Sequence, residues 1–243
     1  MAISRPKPIV DQIDELLRQR IYDEEYPPGT RLPSESELLQ EFGVSRATIR
    51  TALTRLATEG LIIRRQGDGT YVNEHLQEVN AQMGGLWEYM RLIRRSGHEP
   101  SIRLLNSQNR PATPAEAQAL GLQAEEPVLS LTRLFLAGSR PVILTVNALP
   151  HRQIQGQASD VDGALPLRTL LQEHCQQRIA YAIFNIRATL AGKEVAKTLQ
   201  QSPGDPLLQI DTIFYNAGNE PLATGTSHYD DGFLNLRLIQ TWT

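Results

Sequence analysis

The stretch VSRATIRTALTRL, residues 44–56, decides how the first part of the chain folds. On a 3.6-residue wheel Ile49, Ala52, Leu53 and Leu56 share one side, while Ala47, Arg50, Thr51, Thr54 and the following Thr58 share the other. That period predicts a helix packed by an aliphatic stripe. Its outward face carries short hydroxyls and guanidiniums where a solvated helix usually shows Glu and Lys. Short side chains let a backbone approach a partner closely, and hydroxyls and arginines can reach phosphate oxygens or base edges. Taken alone, such a face fits plain solvated surface equally well.

The flanking sequence separates the two readings. In LPSESELLQEFGV, residues 32–44, Ser34 can cap a short helix, Glu37 stands three residues on in capping-box position, and Gly43 suits a left-handed stop. Ser45 caps the next helix almost at once, and a tight glycine-bearing connection between short helices predicts helix-turn-helix. An earlier helix is marked by Ile9, Ile13, Leu16, Leu17 and Ile21 and is ended by Pro27, Pro28 and Gly29. After Gly60, LIIRR and TYV flank QGDG, which reads as a hairpin with a glycine tip. Three helices and a hairpin make a winged helix-turn-helix.

The whole chain of 243 residues has a formal charge of −3, which argues against a generally basic phosphate binder. Distribution matters more. Between residues 42 and 73, Arg46, Arg50, Arg55, Arg64 and Arg65 face only Glu59 and Asp68. With the tight turn and the hairpin beside the helix, this points to double-stranded DNA. Base contacts are expected in the first turns, from Ser45, Arg46, Ala47, Thr48 and Arg50. The hairpin residues Arg64, Arg65, Gln66 and Gly67 are placed to enter a minor groove or lie on a backbone.

We divide the chain into a DNA-binding domain at 1–74, a polar linker at 75–85 and a second domain at 86–243. The second domain reads as alternating helices and strands. It holds a weak repeat: residues 119–145 and 198–224 share a helix end, an acidic-Pro turn (Glu126-Pro127 and Asp205-Pro206), a strand, a glycine turn and a second strand. Either a duplication or two ordinary helix-plus-hairpin units would give this pattern. Paired hairpins predict one antiparallel sheet, with helices on one face and the other face or its rim open to a ligand.

Several function classes find no support. A single Cys175 allows no internal disulfide and no Cys-x-x-Cys site. The five histidines lack metal-ligand spacing, and no Ser-His-Asp, Walker or GxGxxG pattern occurs in its required context. No cofactor is expected. Without a signal-like N-terminus or a long apolar run, the expected address is cytoplasmic, away from membranes.

The segment PPGTRLPSESELLQEFGVSRATIRTALTRLATEGLIIRRQGDGTYV, residues 27–72, resembles the winged helix-turn-helix of the GntR family of bacterial transcriptional regulators. The resemblance implies DNA contacts by Ser45, Arg46, Thr48 and Arg50 and by Gln66 and Gly67 of the wing; Arg31, Ser34 and Ser36 join them as candidates. Many members carry Arg where this chain has Ser36, so any contact there is made by a hydroxyl and not by a guanidinium. From Leu86 onward the chain is similar to the UTRA domain of the HutC subfamily, on the block PA...EA..LGL...EPVL.L.RL and the closing PL......Y. That similarity implies a fold like chorismate lyase, an α+β arrangement around a mainly antiparallel sheet. It also implies a homodimer that binds a small effector without catalysis and reads a pseudo-palindromic operator.

The effector residues are less sharply marked. Leu129, Leu131, Arg133 and Phe135 share a strand face by alternation. Arg133 is thus either a snorkelling or edge-strand residue or an anion site, and the resemblance favours the second, because sugar-phosphate-binding members carry Arg-x-Arg here. Phe135 stands in the second arginine's place. Thr145 and Ala223 stand where such members have Glu, and Pro166 where they have Ser. These departures favour a smaller, less hydroxylated anionic metabolite. Gly84 and Gly85 could offer backbone N–H groups or be plain linker, and Tyr229 is either a contact or simple packing. The expected function is a DNA-binding transcriptional regulator acting as a repressor under the control of that metabolite; the rivals are a constitutive DNA-binding dimer and a lyase-like enzyme with a DNA-binding head.

Overall fold

The structure is a computed structural model that describes residues 7–77, 89–230 and 232. The described residues fall into two compact units, one holding residues 7–77 and the other residues 89–230.

In the first unit α1 spans Ile9–Tyr22, α2 Glu35–Phe42 and α3 Arg46–Thr58, followed by strands β1 (Ile62–Arg65) and β2 (Gly69–Val72). The sequence-level stops act as expected. Ser34 and Glu37 form a reciprocal capping box, and Gly43 ends α2 at φ 63°. Helix α1 stops at Tyr22, five residues before Pro27: Asp23 N–H still bonds the Gln19 carbonyl at 2.7 Å, and Glu24 then leaves the helix at φ 60°. All four residues of the α3 stripe are buried, Ile49 and Leu56 completely, against Ile13, Leu17 and Ile21 of α1 and Leu38 of α2. Leu76, in a single 3-10 turn at Glu74–Gln77, joins the same core, so this unit extends past the expected boundary at residue 74.

The second unit begins in the described residues with α4 (Tyr89–Arg95). It continues through β3 (Pro100–Pro111), α5 (Pro114–Leu120), β4 (Pro127–Ala137), β5 (Arg140–Pro150), α6 (Leu167–Cys175), β6 (Tyr181–Leu190), α7 (Lys193–Leu199), β7 (Pro206–Tyr215) and β8 (Pro221–Tyr229). All six strands form one antiparallel sheet in the order β3-β4-β5-β8-β7-β6. This order is two three-stranded meanders joined through β5 and β8.

The repeat seen in sequence extends to individual hydrogen bonds. Ala112 N–H donates to Glu126 C=O at 2.9 Å, as Ala191 does to Asp205 at 2.8 Å; Leu122 donates to Ala117 at 2.9 Å, as Gln201 does to Ala196 at 2.8 Å. The Glu126 and Asp205 carboxylates each accept a backbone N–H three residues upstream, at 3.1 and 2.8 Å. Donors and acceptors in the two halves are offset by a constant 79 residues. The two helix-plus-hairpin units thus share their turn chemistry as well as their order.

The expectation of helices on one face only is corrected. Leu129 and Leu131 of β4, Leu149 of β5 and Phe214 of β7 pack against Leu170, Leu171 and Cys175 of α6. The opposite face buries Leu134, Leu144 and Leu207 against Ala196 and Leu199 of α7, and Val128 and Ala148 against Leu120 of α5. The inner strands β4 and β5 are apolar on both faces, and each face must therefore be covered.

Candidate DNA interface and effector site

On α3 the residues expected to read DNA are placed together. Ser45, Arg46, Ala47 and Arg50 are exposed and Thr48 is half-buried. Ser45 caps the helix, its Oγ accepting the Thr48 N–H at 3.2 Å and lying 2.8 Å from Thr48 Oγ1. Of the two hydroxyl hydrogens, one is used within this pair and one remains for a partner. The threonines further along differ from expectation. Thr51 donates to the Ala47 carbonyl at 2.9 Å, Thr54 to Arg50 at 2.7 Å and Thr58 to Thr54 at 3.0 Å. Their hydrogens satisfy their own helix, and what they present outward is a methyl group and acceptor lone pairs.

The basic window also resolves into roles. Arg55 is ion-paired to Asp11 of α1 at 2.6 Å, and Glu59 is held by Arg18 of α1. Both charges tie α3 to α1 and drop out of the reading surface. Burial opposes the charge of Arg18, but its bonds to Glu59 and Asp14 outweigh this and hold its pKa far above the ordinary range. Arg46 is exposed without an ion pair among the described residues, and Arg50 lies 3.8 Å from Glu35. Arg64 of β1 reaches back to the Arg50 carbonyl at 3.3 Å, which sets the hairpin against the helix.

The hairpin register pairs Ile62 with Val72 and Arg65 with Gly69, leaving Gln66, Gly67 and Asp68 exposed at the tip. Asp68 N–H closes the turn onto the Arg65 carbonyl at 3.1 Å, with Gly67 at φ 75°. Arg65 lies over the Tyr71 ring at 4.4 Å, and the Tyr71 hydroxyl donates to Asp68 at 3.1 Å. A single β-bridge, Arg31 to Tyr71, appears that sequence reading missed, with Leu32 N–H donating to Thr70 C=O and Val72 N–H to Thr30 C=O. It brings Arg31 against Gly69, where an added Cβ would meet Arg31 Nε at 2.7 Å; only glycine fits there, at φ 145°. Ser36 is exposed on α2, while Ser34 is occupied by its capping box.

In the second unit Arg133, on β4, is only 1% exposed. It is flanked by β3 and β5, so it is neither an edge-strand nor a snorkelling arginine. Its Nη1 donates to the Leu165 carbonyl at 2.7 Å and its Nη2 to Asn147 Oδ1 at 2.6 Å, while Nε has no partner. Both partners are neutral. Burial lowers the guanidinium pKa to about 10, which still leaves it charged at neutral pH.

Alternation and register then assemble the surroundings. Arg133 sits opposite Thr145 of β5, which sits opposite Ser227 of β8; Phe135 sits opposite Ile143, and Ile143 opposite Tyr229. Thr145 Oγ1 is buried without a partner. The Tyr229 hydroxyl lies beside Tyr89 and Ser227 but makes no hydrogen bond of normal geometry. Tyr89 of α4 reaches Ser227 Oγ at 2.8 Å and packs edge-on against Phe135 at 4.8 Å and Tyr229 at 5.9 Å. Burial pushes both tyrosine hydroxyls up, so each stays a protonated donor. Asn147 spans from Arg133 to the Thr224 carbonyl at 3.2 Å, crossing Gly225, where a Cβ would come within 2.6 Å of its Nδ2.

Four expected residues, Arg133, Phe135, Thr145 and Tyr229, are therefore gathered in one place. Gly84 and Gly85 lie outside the described residues. Ala223 is fully buried in the α6 core, and Pro166 begins α6 directly after the Leu165 carbonyl that Arg133 holds. Sequence reading missed Tyr89, Asn147 and Ser227. Alternation from Thr145 and Tyr229 was signal enough for the last two; nothing local marked Tyr89, whose partner is 138 residues away. Among the described residues no group of three or more His, Cys, Asp and Glu could hold a metal ion, and no helix is long and apolar enough to cross a membrane.

A winged helix-turn-helix joined to a sheet with a buried cationic site defines a class of DNA-binding regulators. The comparisons place it more closely. Residues 9–72 match the bacterial regulatory proteins of the gntR family and residues 95–231 match the UTRA domain. The HTH-type transcriptional regulator Rv0792c of Mycobacterium tuberculosis is 30% identical over 226 residues, covering 91% of this chain and 82% of that protein. The HTH-type transcriptional repressor NagR of Bacillus subtilis is 30% identical over 210 residues, covering 86% and 85%. Among solved structures, the "possible transcriptional regulator YydK" of Bacillus subtilis superposes with a TM-score of 0.71 at 18% identity, over 98% of this chain and 100% of that one, and shares the fold. The chain belongs to the GntR family of transcriptional regulators, in the branch that carries a UTRA domain. Its relatives are named as regulators or repressors of transcription, and it is a DNA-binding regulator, not an enzyme.

Proposed function

We propose that this regulator is a repressor whose affinity for its operator is set by a small anionic metabolite bound at Arg133. The observation that carries this reading is a buried guanidinium with neutral partners only and an unpartnered Nε, beside the orphaned hydroxyls of Thr145 and Tyr229. Burying an unneutralised charge is costly, and so is leaving buried donors unpaired. An anion arriving at Arg133 recovers both costs at once. The name of NagR, a transcriptional repressor, supports the direction of control.

We further propose that the protein acts as a homodimer on a pseudo-palindromic operator, with one α3 in each half-site. Support comes from β6, an edge strand paired to β7 without a register break over Tyr181–Leu190, which exposes Tyr181, Ile183, Ile186 and Leu190. A long apolar edge of this kind is a template for pairing with a second copy. Effector control of DNA reading through Arg46, Arg50 and the wing would act by shifting the population between DNA-competent and incompetent arrangements. Gel-shift titration of an operator selected from the DNA beside the gene tests both parts. Metabolite extracts should release the wild-type protein and fail to release Arg133→Met. Release of both proteins alike would remove Arg133 from control, and no release of either would favour a constitutive DNA-binding dimer.

A further inference from the structure

We infer that the Arg133 site takes a monoanionic carboxylate with a flat apolar body in preference to a phosphate ester. This rests on the anion-site reading above and narrows it to a chemical class.

Charge balance is the first reason. Arg133 brings one positive charge into a site where, among the described residues, no Asp or Glu pairs with it, and its hydrogen-bond partners are a backbone carbonyl and an amide. A monoanion makes such a site neutral. A phosphate monoester carries roughly −1.5 to −2 at neutral pH, and with one guanidinium it would leave a net negative charge buried. The residue two positions along the same strand face, where a second cation could help, is Phe135.

Donor geometry is the second. Arg133 Nε and Thr145 Oγ1 have no partner, and the Tyr229 hydroxyl, beside Tyr89 and Ser227, makes no hydrogen bond of normal geometry. Thr145 is the cross-strand neighbour of Arg133, and Tyr229 lies one residue pair further along the same face. A carboxylate is acceptor-only, with two oxygens and about four lone-pair sites, and donors on neighbouring strands of one sheet face suit it. A polyhydroxylated body needs more donors and acceptors than one N–H and two hydroxyls supply. Asn147 is already bound to Arg133 and Thr224, and Ser227 to Tyr89.

The walls are the third. Tyr89, Phe135 and Tyr229 are buried and meet edge to face, 4.8 and 5.9 Å apart between centroids. Such a cluster offers ring faces and edges to a planar apolar group, and gives little to a sugar.

The test is calorimetric titration of the full-length protein with benzoate, trans-cinnamate, acetate, inorganic phosphate and glucose 6-phosphate. Benzoate or cinnamate should bind at least about tenfold more tightly than acetate or either phosphate, the scale of one charge-assisted hydrogen bond or a buried ring contact. Arg133→Gln should abolish binding of all five, and Phe135→Leu should weaken the aromatic acids while leaving acetate unchanged. Should Arg133→Gln fail to fold, the near-isosteric Thr145→Val serves, with carboxylate affinity expected to fall by about tenfold. A phosphate bound most tightly, in an Arg133-dependent way, overturns the ligand class and leaves the anion site standing. Binding of none of these anions, or equal binding by wild type and Arg133→Gln, overturns the anion site itself.

Discussion

The two units use arginine in opposite ways. Arg46, Arg50 and Arg64 stand exposed on α3 and β1, whereas Arg133 is 1% exposed within a sheet. An exposed guanidinium is solvated at little cost, acts over about a Debye length and weakens with salt. The buried one has lost its water and received two neutral acceptors and the face of the Phe135 ring in return. The difference teaches where each unit gains its free energy of binding. The DNA-binding unit holds its charges ready for a polyanion that brings counterions to release; under the function proposed above, the second unit stores an unsatisfied charge for one small anion.

The largest expected effect lies at the buried arginine. A ligand present at about one hundred times its Kd stabilises its protein by about 2.7 kcal/mol, and Arg133→Met should lose all of that. Thermal melts with and without benzoate measure it. A variant melting shift equal to that of wild type would break the contrast, because the stored charge would then do nothing for binding. Next is Arg46→Ala, expected to cost about 1–3 kcal/mol on the operator and to relax the preference at one base pair. Fluorescence anisotropy on single-base operator variants checks this; an equal loss on every sequence would move Arg46 from base to phosphate. Smaller still is Arg64→Ala in the wing. It should lower the slope of log affinity against log salt by about one, and an unchanged slope would remove its phosphate contact.

How much of this was legible in sequence follows from the range of the interactions involved. The α3 stripe, the Ser34–Glu37 capping box, the Gly43 stop and the wing turn all depend on residues within a few positions of one another, and each is present. Arg133 and Phe135 were placed by strand alternation, which needs only a period of two. Tyr89 could not be found that way, because its role comes from a contact with Ser227 across the whole second unit. The pairing of Thr30 and Leu32 with β2 escaped for the same reason. The outward hydroxyls of α3 were recognised, yet not their use: a threonine in mid-helix finds the carbonyl four residues back before it finds a partner.

Arg55 gives the smallest and most discriminating prediction. It lies on the same helix as Arg46 and Arg50 and counts equally in any tally of local charge. Its guanidinium, however, is bonded to Asp11 at 2.6 Å, and that bond raises its pKa above the ordinary value. Removing it should therefore act on the packing of α3 against α1 and not on DNA. Arg55→Ala is expected to lower the melting temperature slightly, by as much as Asp11→Ala does, and the double variant should melt no lower than either. Operator affinity and its salt slope should match wild type in all three. Were Arg55→Ala to flatten the salt slope as Arg64→Ala does, Arg55 would be a phosphate contact after all. The reading surface would then extend over the whole helix instead of its first two turns.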